Sequence, residues 1–238
     1  MSIGDLFSKG GVTIWPLLLL SILTVTVIFE RSRFWFNVLN KEKEIVNRIL
    51  DATRRDWDMA AEIARQAYDQ PAGRFLLQAL QLQSPDPDLL RLALESSADD
   101  EIAGMRRGDK ILEAVIAMAP LLGLLGTVLG LIRTLGAITF TALGTEAGKD
   151  AAGGIGESLI STAAGIIVAL FALSFYRIFQ GLVFNQAKVF RRAGNEVELL
   201  YRQKWQYEKN DDRANDRNVP SLDRYESSSD DKKTDLLT

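Results

Sequence analysis

Ala114-Val-Ile-Ala-Met-Ala-Pro-Leu-Leu-Gly-Leu-Leu-Gly-Thr-Val-Leu-Gly-Leu-Ile132 carries no charge between Glu113 and Arg133. A bilayer core needs about 20 apolar residues in a helix, and buried helices of water-soluble cores seldom run so long uncharged. Two further runs have the same character. Between Lys9 and Glu30 lie 20 uncharged residues, including Trp15-Pro-Leu-Leu-Leu-Leu20. Between Asp150 and Arg177 lie 26 residues whose only charge is Glu157. The chain therefore reads as an all-α integral membrane protein with three transmembrane helices, at 12–30, 113–140 and 153–177.

Composition removes whole classes of chemistry. The 238 residues include no Cys and no His, so thiolate and imidazole metal sites, Cys nucleophiles and Ser-His-Asp triads are all excluded. A net charge of −3 gives no argument for nucleic acid. Two glycine-rich stretches come near to nucleotide motifs and miss. Gly144-Thr-Glu-Ala-Gly148-Lys149-Asp150 has three residues between its glycines, where a phosphate loop has four, and Asp where that loop needs Ser or Thr. Gly154-Ile-Gly156 lacks a third glycine and opens no βαβ unit. No catalytic constellation is visible, and no cofactor is implied.

Orientation follows from the placement of Lys and Arg. Lys9 alone precedes the first span, Lys149 alone lies in the 141–152 loop, and Arg133 sits at a span edge; the other 25 cations fall in 31–110 or from Arg177 onward. This predicts residues 1–11 and 141–152 outside and both 31–112 and the C-terminus in the cytoplasm. A cleaved signal peptide fits the first run poorly, because Asp5 offsets Lys9, no Ala-x-Ala-like site follows, and Arg31, Arg33, Lys41 and Lys43 come straight after it.

Within 31–112 the apolar spacing predicts helices over Trp57–Tyr68 and Gly73–Leu82, separated at Pro71. Ser84-Pro-Asp-Pro-Asp88 predicts a turn that caps the next helix. From Asp88 no proline occurs until Pro120, which predicts a helix running unbroken into the second span. The third span is expected to continue as a cytoplasmic helix over 178–206, and 207–238, dense in Asp, Lys, Asn and Ser, as a disordered tail.

Inside the spans, the polar and small residues are the informative ones. A carboxylate in a membrane costs about 2.5–3.5 kcal/mol on insertion scales, so Glu157 is expected to face protein or a water-filled interior. At 100° per residue, Glu157, Ser161, Gly154, Gly165, Ser158, Ala169, Ala172 and Thr162 share one face, while Leu159, Ile160, Ile166, Ile167, Leu170 and Phe171 take the other. The second span repeats the design. Pro120, Gly123, Gly126, Thr127, Gly130, Thr134 and Ala137 form one stripe, with Gly126 and Gly130 as a GxxxG pair.

Such stripes commonly signal close helix packing. Packing alone does not call for Thr127, Thr134, Glu157, Ser161 and Thr162 on or beside them, which favours a polar pathway, and both readings can hold together. At 1.5 Å per residue, Thr127 and Thr162 lie roughly 21–23 Å from the cytoplasmic boundary and can face each other. Arg133 and Glu157 lie roughly 30 Å up. Either they pair there or Arg133 snorkels to the outer interface.

Ala119-Pro-Leu-Leu-Gly-Leu-Leu-Gly-Thr-Val-Leu-Gly130 and Gly154-Ile-Gly-Glu-Ser-Leu-Ile-Ser-Thr-Ala-Ala-Gly165 resemble the paired signature stretches of the MotA/TolQ/ExbB proton-channel family. With three spans the chain is more similar to ExbB or TolQ than to four-span MotA. The resemblance implies an inner-membrane homo-oligomer, a pentamer, around a dimer of a single-span ExbD/TolR-like partner carrying an Asp in its span. It implies proton flow that drives relative motion, and a TonB-like protein that passes the work to outer-membrane receptors. Thr127, Glu157 and Thr162 match the family's channel-lining positions. A TolQ-like envelope-maintenance role and a non-conducting scaffold are the alternatives.

Overall fold

The computed structural model describes residues 13–137 and 146–218, with the side chains of 136–137, 146–154, 157, 212 and 214–218 left outside the description. Six α-helices make up the described residues, with no strand among them: α1 Ile14–Thr53, α2 Trp57–Gln66, α3 Pro71–Leu80, α4 Pro87–Met105, α5 Asp109–Ala137 and α6 Glu146–Asn218. Three of them, α1, α5 and α6, are long and apolar enough to cross a membrane. α1 and α6 run far beyond their apolar parts. At 1.5 Å per residue, 40 and 73 residues make rods of about 60 and 110 Å.

The polar bundle hangs on these two rods. Asp56 caps α2 by accepting from the backbone N–H groups of Asp58 and Met59 at 2.8 and 3.2 Å. Pro71 and Pro87 each stand at the start of a helix, where a missing N–H costs nothing. Asp86 caps α4 through Asp88 N–H at 2.9 Å, so the Pro-Asp-Pro turn ends and starts helices as its composition predicts.

The bundle core stacks Phe75 of α3 on Phe190 of α6, ring centroids 4.6 Å apart, beside the fully buried Ile49, Leu76, Leu90 and Val197. Trp57, Tyr201 and Trp205 close the lower end, and the Tyr201 hydroxyl donates to the Pro85 carbonyl at 2.5 Å.

Three helix boundaries differ from the sequence expectation. The helix entering the second span is not continuous, because α4 ends at Met105 and α5 begins at Asp109. Gly108 between them has φ +92°, a left-handed conformation that a glycine adopts freely and that ends a helix. The lack of proline hid this break. At the other end, α6 continues past Tyr207 to Asn218, supported by the Lys204–Glu208 pair four residues apart at 3.8 Å. Residues 1–12, 138–145 and 219–238 lie outside the described residues; of the loop expected at 141–152, residues 146–152 are instead helical and form the first turns of α6.

Candidate functional site: the seam between α5 and α6

The small stripes of the second and third spans meet each other. A Cβ built on Gly165 would stand 2.4 Å from the Ala119 carbonyl oxygen, one on Gly123 2.9 Å from the Ser161 carbonyl oxygen, and one on Gly130 2.6 Å from the Ser158 Cβ. No side chain fits at such distances, so glycine sets how closely these backbones approach. The pairs 119/165, 123/162, 126/161 and 130/158 fix an antiparallel register.

The bulky residues read onto the other face are indeed turned out. Leu159, Ile167 and Leu170 of α6 are 61%, 66% and 58% exposed, as are Leu121 and Leu135 of α5 at 65% and 68%. In a membrane these surfaces meet lipid or other chains.

The hydroxyls divide into two kinds. Thr162 reaches across the seam and donates to the Gly123 carbonyl at 2.9 Å. Ser161 is buried and lies 3.2 Å from the Thr13 hydroxyl, so α1 joins the seam at its first turn. Ser158, Thr127 and Thr134 instead donate to carbonyls of their own helices, Ile155, Leu124 and Gly130, at 2.7–2.8 Å. Ser158, Thr134, Gly165 and Ala169 are buried, whereas Thr127 and Thr162 are half-buried. The register sets Thr127 about one turn beyond the level of Thr162, close to the equal depth read from the sequence. Gly154 and Glu157 belong to α6, but their side-chain surroundings lie outside the described residues, and so does an Arg133–Glu157 pair. Arg133 itself is exposed.

Pro120 interrupts the α5 ladder within this seam. It has no N–H to give to the Ile116 carbonyl, four residues back, leaving an acceptor in an otherwise apolar stretch.

Residues 67–192 match the MotA/TolQ/ExbB proton channel family model, more than half of the chain and both small stripes. The chain belongs to this family. Its relatives include two ExbB-like biopolymer transport proteins of Synechocystis. One is 52% identical over 84% of this chain and 80% of its own length, the other 35% identical over 81% and 92%. Biopolymer transport protein exbB1 of Vibrio cholerae is 30% identical over 73% of this chain and 77% of its own. As a family member the chain is a membrane protein of a proton-channel class, and the family is one of transport.

Three groups of interactions escaped the sequence reading. Thr13 at the edge of the first span gave no periodic signal. Gln186 of α6 donates to the buried Glu42 of α1, a pair joining positions 144 residues apart. Tyr176 and Gln180 of α6 donate to Glu113 and Asp109 of α5 at 2.6 and 2.7 Å. Only the last could have been sought in sequence, as polar residues at the bundle-side ends of two stripes already recognised.

Proposed function

We propose that this chain is the proton-conducting motor subunit of an ExbB–ExbD–TonB-type complex in the bacterial inner membrane, with its N-terminus outside and its polar bundle in the cytoplasm. The observation that carries this reading is the Thr162–Gly123 hydrogen bond, a polar contact between the two glycine-lined helices at membrane depth, with Thr127 one turn away. Such a bond also glues helices together, so the reading rests on its standing one turn from Thr127 in a chain of the proton-channel family.

Several copies of the chain surround single-span partners of the ExbD/TolR type. The partner's intramembrane Asp takes a proton from the outer side, moves past the α5–α6 pair and gives the proton up toward the cytoplasm. The hydroxyl oxygens of Thr127 and Thr162 accept from the protonated Asp, and each O–H turns to the ionised Asp only by leaving the Leu124 or Gly123 carbonyl it holds. Glu157 and Arg133 stand toward the outer mouth, where Glu157 sets the charge that an entering proton meets. The small residues Gly123, Gly126, Gly130, Gly154, Ser158, Gly165 and Ala169 pack α5 and α6 closely together, and the pair so formed is the wall past which the partner moves.

Glu157→Ala and Thr162→Val should each abolish energised transport while leaving assembled complex in the membrane. Normal transport in both variants would contradict the reading. The ExbB-like names of the relatives favour the TonB-type role over a TolQ-like one. A deletion strain separates the two, since loss of siderophore uptake marks the first and detergent sensitivity the second.

A further inference from the structure

Asp109 and Thr127 are 18 residues apart on α5, and Thr162 and Gln180 are 18 residues apart on α6. Eighteen residues are five helical turns, so each pair lies on one line along its helix, about 27 Å apart. At the lower end of both lines Gln180 donates to Asp109 at 2.7 Å, and one turn away Tyr176 donates to Glu113 at 2.6 Å. Ile116 and Pro120, with the freed carbonyl, fall on the same α5 line between the carboxylates and Thr127.

Resting on the reading of the seam given above, we propose that Asp109, Glu113, Tyr176 and Gln180 form the cytoplasmic outlet of the proton pathway. Asp109 is buried and Glu113, one turn nearer the seam, is exposed, so the site offers one carboxylate inside the protein and one at its surface. A proton leaving the seam binds a carboxylate oxygen and departs from Glu113 to water, with no net chemical change in either residue. Tyr176 and Gln180 each hold one oxygen of a carboxylate and fix its direction. The cations beside Asp109 are Arg31 of α1, which is itself buried, and Arg106 of the turn before α5; they oppose its burial, the larger influence, which raises its pKa. The break at Gly108 belongs to the same design: it turns the chain so that Arg31 packs against the start of α5, its Nε 3.4 Å from where a Gly108 Cβ would stand.

The test uses the full chain with its single-span partner in liposomes under a pH gradient, comparing wild type, Asp109→Asn/Glu113→Gln, Glu113→Asp and Tyr176→Phe. Flux should fall at least tenfold in the double variant and a few-fold in Tyr176→Phe, and Glu113→Asp should keep most of it. A small diffusible buffer on the outlet side should restore flux to the double variant and leave wild type unchanged, which a merely structural role would not produce. Undiminished flux in the double variant, or a loss that neither buffer nor Glu113→Asp relieves, would overturn the outlet and leave the seam intact. A wild-type complex that conducts nothing would remove the seam reading itself.

Discussion

The Thr162 hydroxyl donates to the Gly123 carbonyl at 2.9 Å, joining residues 39 positions apart on helices whose backbones touch through glycine. One contact thus serves two ends, holding the seam closed and keeping a hydroxyl at membrane depth. Removing it should separate those ends. Thr162→Val keeps the shape and loses a hydrogen bond worth about 0.5–1.5 kcal/mol. The variant should remain assembled, with a small drop in melting temperature in detergent, while Thr162→Ser melts like wild type.

Glycine at position 165 is a requirement of approach. Gly165→Ala puts a Cβ 2.4 Å from a backbone oxygen that cannot swing away, so α5 and α6 must part. Overpacking of this kind costs about 1–3 kcal/mol. Gly156 has nothing within 4 Å of its Cβ position, and Gly156→Ala should be neutral or stabilising by up to about 1 kcal/mol. Thermal unfolding of the two purified variants in the same detergent checks the contrast, and equal melting temperatures would count against it.

Glu42 gives the polar bundle a pH dependence. Its burial between α1 and α6 raises its pKa above the usual carboxylate range, and the hydrogen bond from Gln186 only partly opposes this. The folded chain therefore holds this proton more tightly than the unfolded one. The associated stability is complete below the ordinary Glu value near 4.5 and is lost as pH rises through the raised value. Glu42→Gln should flatten that part of the profile and leave the bundle relatively more stable at neutral pH. Denaturant midpoints measured from pH 4 to 8 for both proteins test the sign.

Arg74 ties α3 to α4 with both arms of its guanidinium, Nε and Nη2 each donating to Glu101 at 2.6 Å, while Nη1 reaches the Tyr68 and Asp69 carbonyls. Lysine cannot reproduce this fork. Arg74→Lys should cost about 1–3 kcal/mol in the bundle. Amide exchange should quicken in α3 and α4 and stay unchanged along the seam.

Much of this arrangement was legible beforehand because the membrane imposes strict patterns. Uncharged length marked the three spans, proline and Asp marked the starts of α3 and α4, and the wheel separated Gly165 and Ser161 from Leu159 and Ile167 correctly. The break at Gly108 was missed because a single glycine in a helical pattern is ambiguous until its φ is known. The Glu42–Gln186 and Asp109–Gln180 contacts were missed for another reason: they join α1 or α5 to α6 over long sequence separations. Periodicity tells which face a residue occupies, and says nothing of its partner on another helix.

The most direct measurement is proton flux in liposomes containing this chain and its single-span partner, with wild type compared to Thr162→Val, Thr162→Ser and a partner lacking its intramembrane Asp. The account predicts flux in wild type and Thr162→Ser, and loss of it in Thr162→Val and with the altered partner. Flux undiminished in both of those, or none from an intact wild-type complex, would contradict it and leave the seam as a packing surface alone.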